Sequence, residues 1–157
     1  TALLAGLSSF TGLPHRCELV AEASGVRWFN DSKGTNVGAT LAALDGLGGA
    51  SNVVLIAGGV GKGQDFSPLQ VSVARHCKRV LTLGESAREI EVALGAQAPC
   101  QRVADLPTAV ARAAEITTVG DVVLLSPACA SFDMFSSYEA RGGAFRELVA
   151  QCLGECP

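Results

Sequence analysis

Apolar residues fall along the chain in two rhythms. Unbroken runs rich in Val, Ile and Leu occupy 26–29, 52–57, 79–83 and 121–125, with a weaker run from Gln101 to Ala104. Apolar residues spaced three and four apart fill Val37 to Leu47, Pro68 to Cys77, Ala87 to Leu94 and Pro107 to Ile116. The first rhythm predicts strands buried on both faces and the second predicts amphipathic helices. Parallel strands need crossovers long enough to hold a helix, so the alternation predicts an α/β architecture with a doubly wound, mostly parallel six-stranded sheet. The opening differs: His15 to Ala23, Ser24-Gly25 and Val26 to Asn30 read as a hairpin, which adds one antiparallel edge strand. A last helix is expected from about Ser136 to Leu153, and a short helical lead-in over 1–9. Thr11-Gly12-Leu13-Pro14 reads as a linker from something upstream, so 1–12 form the lead-in and linker and 13–157 the domain.

Composition narrows the setting. With 157 residues, 48% of them hydrophobic and only 17% charged, the chain can bury one core and is no disordered segment. A net charge of -3 without a Lys/Arg cluster argues against a surface for nucleic acid or anionic lipid. No apolar stretch approaches the roughly 20 residues of a membrane span, and the expectation is a cytoplasmic, monomeric protein with no membrane contact. The six cysteines, at 17, 77, 100, 129, 152 and 156, form no Cys-x-x-Cys pair and have only two histidines to help hold a metal. They read as buried free thiols, with Cys152 and Cys156 the most open to adventitious oxidation.

In an open parallel sheet, ligands bind beyond the carboxyl ends of the strands, and three loops there carry chemistry. Asn30-Asp31-Ser32-Lys33-Gly34-Thr35-Asn36 puts an ammonium, hydroxyls and amides directly before a helix, a setting for a polyanion that exceeds what one N-cap requires. Gly58-Gly59-Val60-Gly61-Lys62-Gly63-Gln64-Asp65 is no P-loop, because Ile56 and Gly63 stand where a glycine and a Ser or Thr are needed. It is also no dinucleotide fingerprint, so it reads either as a tight turn with a solvated Lys62 or as a mobile glycine loop presenting that lysine to a ligand. Ser126-Pro127-Ala128-Cys129-Ala130-Ser131-Phe132-Asp133 allows close backbone approach; Ser131 reads as a hydrogen-bond donor, whereas Cys129 lacks a histidine placed to activate it. His15 and Arg16 follow the linker, where a hinge would set both at a domain boundary. His76 reads as a solvated or half-buried side chain, and Glu85 to Glu91 as a solvated helix face.

Leu13-Pro14-His15-Arg16, the 30–36 loop, Gly58-Gly59 through Lys62 and Leu125-Ser126-Pro127-Ala128-Cys129-Ala130-Ser131, in this order, resemble the C-terminal domain of the Mur ligases. Phe132-Asp133-x-Phe135, Arg141-Gly142 and Phe145 are most similar to the branch that adds D-glutamate. The resemblance implies a Rossmann-like domain of a peptidoglycan-precursor ligase that uses ATP and magnesium, both held mainly by a central domain. Arg16 and Lys33 would then face the nucleotide phosphates, Asp31 the ribose and His15 the domain junction, with His15, Arg16 and Lys33 completing the catalytic site. Thr35, Lys62, Ser131, Phe132 and Tyr138 would hold D-glutamate, and the acceptor would be UDP-N-acetylmuramoyl-L-alanine bound to the other domains. The domain alone is expected to be inactive. Two alternatives stay open: a branch that adds a different amino acid, or a free-standing α/β module that binds a nucleotide or anion.

Overall fold

A computed structural model describes residues 12–154; the helix expected over 1–9 lies outside the described residues. Six strands form one sheet in the order β1-β2-β6-β3-β4-β5: Glu18–Ala23 (β1), Val26–Asn30 (β2), Val53–Gly58 (β3), Cys77–Leu83 (β4), Cys100–Arg102 (β5) and Val122–Leu125 (β6). β1 pairs antiparallel with β2 through the Ser24-Gly25 turn, and every other pairing is parallel. The edge hairpin and the mostly parallel sheet are as the sequence pattern predicts.

Helices α1 (Val37–Leu47), α2 (Leu69–His76), α3 (Ala87–Leu94), α4 (Leu106–Ile116) and α5 (Tyr138–Cys152) cover both faces. Side chains alternate across the pleat, so neighbouring strand residues feed different cores. Val53, Leu55, Val122 and Leu124 pack with Leu44, Leu69, Val73, Ile90 and Leu94. Val54, Ile56, Val123 and Leu125 pack with Trp28, Leu106, Val110, Phe145 and Val149. β3 and β6 are buried at every position, which is why they read as continuous apolar runs.

Two boundaries move. β4 begins at Cys77, directly after α2, two residues earlier than the apolar run indicates, because Cys77 and Arg79 already pair with Val53 and Val54. β5 shrinks to three residues, its ladder ending at Arg102, whose partner is Thr82.

The thiol expectation needs correction. The described cysteines are free, but only Cys77 and Cys129 are buried; Cys17 and Cys152 are exposed and Cys100 is half-buried. His76 is also more enclosed than expected: it is buried, its Nδ1 lies 2.8 Å from the Gly49 carbonyl, and its Nε2 lies 3.4 Å from Asp45. The Glu85–Glu91 stretch is a solvated face only in part, since Ser86, Ala87 and Ile90 are buried.

Candidate functional site

The strand order makes the site. β6 is laid down last yet slots between β2 and β3, so the loops leaving β2, β6 and β3 become neighbours at the carboxyl edge of the sheet, where the connections diverge. Residues spread from 15 to 141 meet there.

On the β2 side, Arg16, Asp31, Lys33, Thr35 and Tyr138 line one cleft of about 550 Å³ together with Cys17 and Asn36. Lys33 Nζ stands 5.7 Å from the centre of the Tyr138 ring, within the range where a cation is attracted to an aromatic face. Arg16 and Lys33 are both exposed. The backbone of this loop is locked: Lys33 N donates to the His15 carbonyl and Gly34 N to that of Asp31.

Asp31 is only 4% exposed. One carboxylate oxygen accepts from Cys17 N at 3.1 Å and the other from Ser126 Oγ at 2.7 Å. Burial raises its pKa, although both hydrogen bonds pull the other way. Asp31 therefore fastens the His15–Cys17 segment to the β6 loop as well as reaching the cleft. His15 is buried, its Nδ1 2.9 Å from Asn30 Nδ2 and its ring edge-on to Tyr138 with centroids 6.1 Å apart. Asn30 Oδ1 accepts from Ser32 N, which leaves the amide nitrogen to donate to His15.

On the β3–β6 side, a bridge pairs Val60 with Ala130 through both backbone N–H groups, each 2.9 Å from the opposite carbonyl. Lys62 and Phe132 project from the two bridged segments, Nζ 6.0 Å from the ring centre, with Ser131 almost fully buried between them in sequence. The glycine pair that opens this loop is required by contact. A Cβ at Gly58 would stand 1.8 Å from the Leu83 carbonyl oxygen, and one at Gly59 2.2 Å from that of Ala130. Lys62 itself has a φ of 53°, a left-handed conformation unusual for a side chain of its size.

Tyr138 and Thr35, grouped with Lys62 by resemblance, line the Arg16–Lys33 cleft; Lys62, Ser131 and Phe132 form the other cluster. The expected mobile glycine loop is fastened: Gly58 N donates to Pro127 O, Ser86 N to Gly59 O, and Gly61 N to Ser86 Oγ. The start of α1 is also less open to anions than expected. Val37 N donates to Gln64 Oε1 at 3.0 Å and Ala39 N to the Asn36 side chain at 2.9 Å.

Sequence reasoning assigned no role to Arg141, and its signal was only an Arg-Gly pair in the last helix. It is 2% exposed and donates to Ser32 Oγ, Ser32 O and Cys129 O at 2.9, 2.7 and 3.1 Å, clasping the β2 loop to the β6 loop. Burial pushes its pKa down to about 10, against the pull of Cys129 and Asp133. Burial drives the Cys129 thiol up to about 12, opposite to the lowered pKa that marks a reactive cysteine.

Comparison with known proteins bears on the family of the chain. The family profile described as "Mur ligase, glutamate ligase domain" matches residues 15–129. The chain is 52% identical over 152 residues to a UDP-N-acetylmuramoylalanine--D-glutamate ligase of Nitrosococcus oceani, covering 97% of this chain and 34% of that protein. It is 56% identical over 144 residues to the protein of the same name from Alcanivorax borkumensis, covering 90% of this chain and 32% of the relative. The chain thus spans about a third of the length of these curated relatives. A MurF ligase from Thermotoga maritima, solved in complex with ADP, shares the fold at a TM-score of 0.61 and 17% identity, over 98% of this chain and 36% of that one. From the family profile and these relatives, the chain belongs to the Mur ligase family, as its C-terminal, glutamate ligase domain.

Proposed function

We propose that this domain supplies the D-glutamate site, and the cationic groups that complete the ATP site, of a ligase that joins D-glutamate to UDP-N-acetylmuramoyl-L-alanine in the cytoplasm during peptidoglycan-precursor synthesis. The observation that carries the reading is the pair of cationic clusters on neighbouring loops: Arg16 and Lys33 in one cleft, Lys62 beside Ser131 and Phe132 in the other. Amide formation from a carboxylate needs an activated acyl group and an incoming amine held close to it. ATP supplies the phosphoryl group for that activation.

Arg16 and Lys33 fit the nucleotide's phosphates, and their charge offsets the negative charge that builds as the phosphoryl group moves. Asp31 stands beside them for the ribose, and His15 faces the junction with the preceding domain. D-Glutamate is a dianion with one ammonium. Lys62 and the Ser131 hydroxyl match its carboxylates, while Thr35 and Tyr138 line the passage toward the phosphates. Closure of this domain over a nucleotide-binding neighbour brings the amine to the activated carboxylate, so orientation is its main contribution.

Magnesium would be held mainly by the neighbouring domain and the nucleotide's phosphates; among the described residues no group of three His, Cys, Asp or Glu side chains comes together. Among the same residues no helix is long and apolar enough to cross a membrane.

The test is an amide-formation assay with the full ligase, UDP-N-acetylmuramoyl-L-alanine as acceptor, ATP-magnesium and a panel of amino acids. Turnover with D-glutamate alone, and none by this domain in isolation, is the expected result. Turnover with L-lysine or diaminopimelate instead would reassign the substrate.

A further inference from the structure

Lys62 is the cation of the amino-acid cluster, and its left-handed backbone stands between two anchored neighbours. Gly61 N donates to Ser86 Oγ, and on the other side the anchor is the side chain of Gln64. Its Nε2 donates to the Gly61 carbonyl at 2.9 Å and to the Ala128 carbonyl at 2.7 Å, and its Oε1 accepts from Val37 N at 3.0 Å. One side chain thereby touches all three loops of the site: its own, the β6 loop, and the start of α1 directly after Thr35 and Asn36. Both amide protons and the amide oxygen are used, so the orientation of the group is fixed by its partners. Exposed glycine at 63 and the left-handed Lys62 are the conformationally free part of the loop, and Gln64 is the point at which that freedom is stopped.

We propose that Gln64 is a positioning residue for Lys62. By tying the loop back onto the β6 loop and α1, it fixes where the Lys62 ammonium stands relative to Ser131 and Phe132, without itself touching the amino acid. The proposal deepens the D-glutamate reading and rests on it for its kinetic consequence. Its structural consequence stands alone: the Gln64 side-chain amide and the 61–63 backbone form one cooperative unit.

Two measurements decide it. In the full ligase, Gln64→Met keeps side-chain length but loses all three bonds. The KM for D-glutamate should rise roughly tenfold, the scale of one or two lost hydrogen bonds, while the KM for ATP and kcat change by less than about twofold. A residue that only stabilised the fold would move all three together or none of them. In the isotopically labelled chain, the wild-type Gln64 side-chain amide should exchange with solvent at least about tenfold more slowly than that of exposed Gln151, and Gln64→Met should speed exchange at Gly61 and Lys62 without affecting β3. An unchanged KM for D-glutamate in a variant that turns over normally overturns the proposal. So does a Gln64 side chain that exchanges as fast as Gln151, a wild-type result that needs no variant to fold. If the wild-type ligase does not use D-glutamate, the functional reading fails, and the exchange data still decide whether Gln64 fixes Lys62.

Discussion

The two clusters at the carboxyl edge of the sheet are built differently. The Arg16–Lys33 cleft draws most of its wall from one run, Asp31 to Ala43, with Arg16, Cys17 and Tyr138 brought in from either side. The Lys62–Ser131 cluster has almost no local origin: its members lie some seventy positions apart and meet because Val60 and Ala130 pair across two loops. A site written in one loop survives changes elsewhere as long as that loop keeps its shape. A site assembled across two loops depends on every contact that holds them together, and here those contacts are backbone pairs, two glycines and Gln64.

The largest effect that would break this contrast is at Arg141, because it serves both halves. Arg141→Met leaves the Ser32 and Cys129 carbonyls buried without their partner. Stability should fall by about 3 kcal/mol or more, read by urea denaturation, with both substrates bound more weakly in whatever remains folded. Next come the glycines. Gly59→Ala would set a methyl against the Ala130 backbone and demand a φ of 135°, so roughly 3 kcal/mol should be lost, with the D-glutamate KM affected more than that for ATP. Gly142→Ala meets instead a side chain rather than backbone, the buried His15 ring at 2.1 Å, which would have to give up its hydrogen bond to Asn30. Its loss should be smaller, roughly 1–2 kcal/mol, and its kinetic effect should fall on the His15–Arg16 side.

The smallest effect lies at the edge hairpin. Arg146 is paired with Glu18 on β1, and although burial alone would raise the Glu18 pKa, the guanidinium and Asn30 hold it below its usual value of 4.5. A carboxylate whose pKa is lowered on folding adds stability above its unfolded pKa and loses it as pH falls through the folded one. Arg146→Met should therefore reduce stability at pH 7 by less than about 1 kcal/mol, since the pair is partly solvated, and should flatten the decline below pH 4.5. Denaturation curves at pH 7 and pH 3 for both proteins would test this.

The same contrast explains what could be read from the sequence. β3 and β6 are buried on both faces, so their residues had to be apolar throughout, and the run pattern located them to within a residue or so. The 30–36 loop was legible because its chemistry is contiguous. The roles of Arg141 and Gln64 were not, because what defines them is a set of backbone carbonyls and amides contributed by distant segments, and backbone groups leave no mark on residue identity. The fastening of the glycine loop was hidden for the same reason: glycine reports conformational freedom, while the bonds that remove it come from Ser86, Gln64 and the β6 loop. Cys17 misled in the opposite sense. It was read as a buried thiol yet lies exposed on the cleft wall, where partial desolvation of its sulfur, followed by the nearby Asp31 charge, raises its pKa to about 11.

The division of labour between the two clusters is tested most directly by a crossed pair of variants in the full ligase. Lys62→Met and Lys33→Met each remove one ammonium from a largely solvated position, and the KM values for D-glutamate and ATP are measured for both. Lys62→Met is predicted to raise the D-glutamate KM at least about tenfold and leave that for ATP within about twofold, with Lys33→Met giving the reverse. If Lys62→Met weakened ATP and spared D-glutamate, or if both variants moved the same substrate, the assignment of one cluster to each ligand would be wrong.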